Sequence, residues 1–150
     1  MNRLSELKEN RKLDNKGFSL VELIIVIAIM AVLIGVLAPQ YLKYVEKSRV
    51  SADADQIDTL ISAIEIYSAE NGVVTGKITI ATTGIVSTSD QPITDALTDA
   101  GLKLKSTAMV TSKMFKKGAT IEFGTDGVKV DSTDATAKAE IATALGREQK

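Results

Sequence analysis

The first half of the chain follows a hydrophobic pattern that changes once. No residue from Leu23 to Leu42 is charged, and Gln40 is the main polar interruption. About twenty residues of α-helix span about 30 Å, the thickness of the hydrocarbon core of a bilayer. An apolar surface on all sides fits a membrane span better than an interfacial helix. A buried helix of a soluble domain is the alternative, but the remaining chain is too small to enclose it.

Beyond Pro39 the helical pattern continues and becomes amphipathic. Apolar residues recur at three- and four-residue spacing until Asn71 and Gly72, which predict the end of the helix. We therefore predict one long helix, half embedded in a membrane and half packed against a domain. The predicted apolar stripe consists of Val50, Ala54, Ile57, Leu60, Ile61, Ile64 and Tyr67, and the acidic residues expected off that stripe are Asp53, Asp55, Asp58 and Glu65.

After Gly72 the period of the pattern shortens towards two, which predicts β-strands. The segment "GKITIAT" alternates apolar and polar residues, and "ATIEFGTDGVKVD" contains two such runs around a turn from Gly124 to Gly127. Alternating runs separated by a Gly-containing turn predict a β-hairpin. The alternating apolar positions are Ile78 and Ile80 in the first segment, and Ile121, Phe123, Val128 and Val130 in the hairpin.

Two further helices are predicted in the C-terminal half. In "QPITDALTDAGLK", Pro92 suits the first turn of a helix and Gly101 lies just past its end. The segment "STDATAKAEIATALG" is either a helix or a loosely ordered Ala-rich tail, and we favour the helix. The predicted fold class is α+β, with a small antiparallel sheet laid on the apolar stripe of the long helix.

Composition narrows the classes of function. The 150 residues include 18 basic and 19 acidic side chains, so the chain lacks the basic excess of a dedicated nucleic-acid binder. It has no cysteine and no histidine, which excludes disulfides, Cys- or His-ligated metals and nucleophile–histidine catalysis by this chain alone. No paired carboxylates or Ser–Lys arrangement is recognisable, so we predict that the protein is not an enzyme and has no cofactor.

A basic leader precedes the apolar segment, and one carboxylate lies at the start of that segment. The leader "MNRLSELKENRKLDNKG" has more basic than acidic residues, which predicts a cytoplasmic N-terminus and an outward C-terminal domain. Glu22 is unexpected in a plain anchor, because a charge at the bilayer centre costs about 2.5 to 3.5 kcal/mol and less near the surface. Cleavage by the ordinary signal peptidase after Ala38 is obstructed by Pro39.

The stretch "KGFSLVE", followed by "LIIVIAIMAVLIGVLAPQY", resembles the class III signal of type IV prepilins and their pseudopilin relatives. In that family a hydrophilic basic leader ends in Gly, the mature chain begins with Phe or another apolar residue, and a Glu lies four residues further on in a long apolar helix. Gly17, Phe18 and Glu22 occupy these positions here. The resemblance does not extend to the C-terminal domain, which has no family motif.

The resemblance implies processing and assembly at these residues. A prepilin peptidase would cut between Gly17 and Phe18 at the cytoplasmic face and methylate the new amine of Phe18. A free α-amine has a pKa near 8, so this group would be largely protonated at neutral pH. We expect Glu22 to pair with the Phe18 amine of an adjacent subunit, because a single buried charge pair fixes the register between otherwise interchangeable apolar helices.

Gly35 and Pro39 are expected to be the weak point of the apolar helix. Glycine weakens a helix by about 1 kcal/mol, and interior proline removes the backbone hydrogen bond to the carbonyl four residues back, here that of Gly35. A mild kink without consequence is the alternative interpretation. In the pilin family this zone can lose helicity on assembly and lengthen the subunit.

The implied organisation is a cleaved leader over residues 1–17, a transmembrane and filament-core helix over 18–42, its amphipathic continuation over 43–72, and a globular β-rich head over 73–150. The precursor would lie in the cell membrane as a single-pass protein and the mature form in a surface pilus. The missing cysteine pair departs from many Gram-negative pilins and favours a Gram-positive origin.

The resemblance implies a structural subunit of a type IV pilus, serving adhesion, twitching motility or DNA uptake. The implied partners are further copies of the chain, the prepilin peptidase, an assembly ATPase and an inner-membrane platform protein, with nucleic acid bound only as a property of the polymer. A pseudopilin of a type II secretion or competence system is the alternative within the family. A monomeric membrane-anchored binding module is the alternative outside it.

Three aspartates near the hairpin are candidates for a metal site. Asp126, Asp131 and Asp134 match no EF-hand spacing, and turn formation or helix capping is the commoner role of aspartate in such positions. We therefore expect no metal there.

Overall fold

A computed structural model describes residues 19–147 of the chain. The first element, α1, is a helix of 52 residues over Leu20–Asn71. The further elements, in chain order, are β1 (Gly76–Ile80), β2 (Val86–Ser87), α2 (Gln91–Asp99), a 3₁₀ helix (Phe115–Lys117), β3 (Ala119–Gly124), β4 (Gly127–Asp131) and α3 (Ala135–Ala144). A long apolar N-terminal helix and a small antiparallel sheet confirm the predicted α+β, pilin-like fold class.

The chain divides into two compact units, one ending at Tyr41 and one beginning at Leu42. The described part of the first unit is helical from Leu20 onwards, and none of its residues is buried. The second unit contains the remainder of α1, the sheet and the shorter helices.

The four strands form an antiparallel sheet in the order β2-β1-β3-β4. The predicted hairpin is confirmed in its register, because Ile121 pairs with Val130 and Phe123 with Val128 across the turn that joins Gly124 to Gly127. Gly127 has a φ of 97°, a conformation that glycine adopts without the Cβ clash of other residues. Alternation along the strands brings the apolar residues to one face, as the period of two requires.

The hydrophobic core contains the second half of α1 and one face of the sheet. Ile57, Leu60, Ile61 and Ile64 of the predicted stripe are all buried. The prediction was wrong for Asp53, which was expected off the stripe and is only 2% exposed. The physical reason is that Asp53 lies four residues before Ile57, hence on the same face of the helix, and finds hydrogen-bond donors there.

The helix α2 has the ends that its sequence predicts, and α3 begins at a capping aspartate. Pro92 lies in the first turn of α2, and Gly101 follows its end with a φ of 71°. The Asp134 carboxylate accepts hydrogen bonds from the backbone N–H groups of Thr136 and Ala137, and so caps α3. Of the two alternatives for this last segment, the helix is therefore the one observed.

Two elements have no counterpart in the sequence pattern. They are the two-residue strand β2 and the 3₁₀ helix, whose Phe115 is fully buried. The loop before the 3₁₀ helix lies against Gly84, whose carbonyl accepts hydrogen bonds from the backbone N–H groups of Met109 and Val110. Long-range contacts of this kind leave no periodic signal in the sequence.

Candidate functional site

The candidate site lies where α1 begins. Glu22 is in the first turn of α1 and is exposed. Gly17 and Phe18, the predicted cleavage and methylation positions, lie outside the described residues. The geometry of the site is therefore built from Ser19, Glu22 and the apolar helix that follows.

The side chains of Ser19 and Glu22 both cap the start of the helix. The backbone N–H of Ser19 donates to Oε2 of Glu22 at 2.8 Å, and the Ser19 hydroxyl accepts from the backbone N–H of Val21 at 3.4 Å. The Ser19 carbonyl accepts the first helical hydrogen bond, from Leu23, at 3.1 Å. Ser at the N-cap with Glu three residues later is a capping box, which satisfies donors that have no partner within the helix.

This local role of Glu22 was missed in the sequence analysis, although the Ser-x-x-Glu spacing is its signal. The carboxylate also lies at the end of α1 where the helix dipole favours negative charge. Within residues 19–147 its second oxygen, Oε1, accepts no hydrogen bond. Among residues 19–147, one oxygen therefore stabilises the helix start and the other remains available to an ammonium group.

The apolar helix presents its side chains outwards. Every large apolar side chain from Leu20 to Leu42 is exposed, and the least exposed, Ile24, is still 50% accessible. Among residues 19–147, α1 is the one helix long and apolar enough to cross a membrane, by length and composition. An apolar surface of this size marks a membrane or protein interface.

The helix is continuous through Gly35 and Pro39. A Cβ built on Gly35 would meet no atom within 4 Å, so packing within the single chain does not require glycine there. That this segment is the least stable part of the helix stays a prediction.

The three aspartates considered as a metal site each serve another purpose. Asp126 pairs with Lys129 at 3.2 Å, Asp131 with Lys138 at 3.2 Å, and Asp134 caps α3. In the described range 19–147, no group of three or more carboxylates is arranged to hold a metal ion.

A family model matches the N-terminal part of the chain. Residues 12–38 match the family model described as the prokaryotic N-terminal methylation motif. The match includes Gly17, Phe18, Ser19 and Glu22, and the apolar helix begins within it. Residues 12–38 are thus similar to the class III signal of type IV prepilins, and the described residues have a pilin-like α+β fold.

Individual proteins similar to part of the chain have fimbrial names. The chain is 42% identical over 50 residues to the type IV major fimbrial protein FimA of Dichelobacter nodosus, which is 33% of this chain and 32% of FimA. It is 36% identical over 62 residues to a fimbrial protein of Pseudomonas aeruginosa, which is 41% of this chain and 37% of that protein. The chain therefore matches only about a third of the length of these relatives, and no solved structure matches it. These relatives do not support the Gram-positive origin that the absence of cysteine favoured.

Proposed function

We propose that this chain is the structural subunit of a type IV pilus. The observation that carries the proposal is the exposed apolar helix that starts at the Ser19–Glu22 capping box, inside the methylation motif. Such a surface is stable in lipid before assembly, and it is stable against other copies of the same helix afterwards. Extraction from the bilayer is therefore feasible only into another apolar environment.

Processing creates the charge that assembly uses. A prepilin peptidase cuts between Gly17 and Phe18 and methylates the amine of Phe18, which is protonated at neutral pH. Oε1 of Glu22, which the capping box leaves free, then accepts from the amine of an adjacent subunit. In the wrong register neither charge has a partner. The pair therefore selects the register even where its net contribution to stability is small.

The proposed functions belong to the assembled filament and not to the single chain. An assembly ATPase and an inner-membrane platform protein drive subunits out of the membrane, and the surface filament serves adhesion, twitching motility or DNA uptake. The FimA and Pseudomonas relatives carry fimbrial names, which supports a filament subunit. The matches to these relatives cover only 33% and 41% of this chain. They therefore do not test the role of the β-rich domain, which is part of the proposal.

Mass spectrometry and electron microscopy test the proposal together. The mature protein should begin with N-methylated Phe18, and surface filaments should contain this chain as their main subunit. Mature protein that keeps Met1 and the leader would overturn the proposal in favour of a simple membrane anchor. Processed chain that is a minor component of another filament or of a secretion complex would identify a minor pilin or pseudopilin instead.

A further inference from the structure

An open groove of about 470 Å³ lies between the second half of α1 and α2. Its lining is mainly apolar, with Ala63, Ile66, Tyr67 and Leu102. It also includes two carboxylates, that of Asp99 and that of Asp58, which already pairs with Arg147 at 3.9 Å. Ile66 is 62% exposed although it is a large apolar side chain. The groove therefore suits an occupant with both apolar and basic side chains.

Asp99 has an unusual position for a carboxylate. It is the last residue of α2, where the helix dipole disfavours negative charge by roughly 0.3 to 1 kcal/mol. It is exposed, and no cation among residues 19–147 pairs with it. An external cation in the groove would relieve this unfavourable interaction.

The matching side chains lie on α1 itself, in the segment from Leu42 to Arg49. Tyr44 is 70% exposed, and Lys47 lies three residues further on, hence on the same face of the helix. Lys43, Lys47 and Arg49 form no ion pair within residues 19–147. The segment thus combines an exposed aromatic side chain with unpaired cations.

The segment cannot occupy the groove of its own chain. Both lie on the continuous helix α1, and their centres are about seventeen residues apart, which corresponds to about 25 Å of helix. The occupant must therefore come from a second copy. A contact between two different patches of identical chains is heterologous, and such contacts generate open polymers when the rotation does not close.

We propose that the Leu42–Arg49 segment of one subunit docks in the α1–α2 groove of another. Tyr44 enters the apolar part, and Lys47 approaches Asp99. The contact requires an axial displacement of about 25 Å between parallel copies of α1, so it forms between staggered subunits of a filament and not between copies side by side at one bilayer depth. This contact rests on the proposed pilus function and specifies one interface within it.

Charge reversal in the full chain tests the contact in cells that assemble its filaments. Asp99→Lys and Lys47→Asp should each lower the amount of sheared filament by about fivefold or more, and the double variant should recover most of it. Asp99→Lys does not weaken α2, because a cation is favoured at a helix C-terminus. Asp95→Lys is the matched control, since Asp95 lies on the same helix, is exposed and does not line the groove.

Cross-linking tests the same contact directly, because the chain has no native cysteine. Ser48→Cys combined with Ser62→Cys places one thiol near Tyr44 and one in the groove lining. These positions are about 21 Å apart along one helix, too far for a short bismaleimide to join within a single chain. Filaments of this variant should give a ladder of oligomers, whereas Ser48→Cys with Thr125→Cys, at the exposed hairpin turn, should not.

The outcomes separate this contact from the pilus function. Filaments that form at the wild-type level with Asp99→Lys, or that give no ladder with the groove pair, would overturn the contact and leave the pilus function intact. Wild-type cells without any filament of this chain would overturn both.

Discussion

The carboxylate of Asp53 accepts a hydrogen bond from the backbone N–H of Ser112 at 2.6 Å. It also accepts from the backbone N–H of Thr111, at 3.0 and 2.9 Å to its two oxygens. About two turns earlier on α1, Glu46 accepts from the backbone N–H of Lys113. Two carboxylates of α1 thus hold three consecutive amides and position the 3₁₀ helix that carries the buried Phe115.

We expect Asp53→Ala to lower the free energy of unfolding by about 3 kcal/mol, because it removes charge-assisted hydrogen bonds and leaves the amides of Thr111 and Ser112 without these partners. Urea denaturation of the full chain in detergent, followed by circular dichroism, measures the change. Asp55→Ala is the matched control, since Asp55 is exposed and should change stability by less than about 0.5 kcal/mol. Equal changes in the free energy of unfolding for the two variants would contradict a stabilising role of the hydrogen bonds to Asp53.

Glu22→Gln separates the two roles of Glu22. A glutamine at this position keeps the capping box with Ser19 but removes the charge. We expect the variant to be inserted and cleaved like the wild type, yet to yield far fewer filaments, because the amine of Phe18 loses its anionic partner. Immunoblots of precursor and mature protein, with sheared filaments measured in parallel, give the two readouts.

Ser19→Ala is the control for helix capping. It removes the hydroxyl that accepts from Val21 and leaves the Glu22 charge in place, so filaments should be retained. Filament yield that falls with Ser19→Ala and not with Glu22→Gln would show that capping, rather than the charge, is what assembly requires.

Gly84→Ala should be among the most destabilising small substitutions in the second unit. Gly84 has a φ of 84°, and an added Cβ would lie 2.3 Å from the carbonyl oxygen of Val110. The left-handed conformation alone costs an L-residue about 1 to 2 kcal/mol, and the clash adds about as much again. We expect a loss of about 3 kcal/mol in the free energy of unfolding.

Gly101→Ala is the matched control for this clash. Gly101 has a φ of 71°, but an added Cβ would meet no atom within 4 Å. The free energy of unfolding of this variant should therefore fall by about 1 kcal/mol, because conformational strain is the only cost. If the two variants unfold at the same urea concentration, the close approach to Val110 is not a constraint.

The cap of α3 should give a pH-dependent stability. The backbone N–H of Ala137, together with Lys117 and the N–H of Thr136, holds the pKa of Asp134 below its usual 3.8. A carboxyl group whose pKa is lower in the folded state stabilises the fold above its unfolded pKa, and this contribution is lost as the pH falls through the folded pKa. The contribution of Asp134 should therefore be present at about pH 6 and be lost only as the pH falls below 3.8 and through the lower folded pKa.

Asp134→Asn tests this dependence, because asparagine is an equally good N-cap residue but does not titrate. The wild-type protein should have the higher Tm at about pH 6, and the difference should vanish as the pH falls below 3.8 and through the lower folded pKa. A difference that is constant with pH would contradict an ionised cap.

Sequence alone determined the elements whose cause is local or periodic. The uncharged run that ends at Leu42 specifies the apolar helix, because only composition and length are involved. The register of Ile121 with Val130 follows from alternation on both sides of a short turn. The capping box of Ser19 and Glu22 is equally predictable from the sequence. It was missed because the resemblance pointed to a pairing of Glu22 with an adjacent subunit.

Only the tertiary structure decided where the remaining polar groups lie. The burial of Asp53 depends on backbone donors at Thr111 and Ser112, which are more than fifty residues away in sequence. Helical periodicity indicates the face on which Asp53 lies, but it does not identify these hydrogen-bond partners. The requirement for glycine at position 84 likewise arises from the Val110 carbonyl. The α1–α2 groove exists only once α2 has packed beside α1. Partners distant in sequence are brought together by the fold as a whole, which no local pattern encodes.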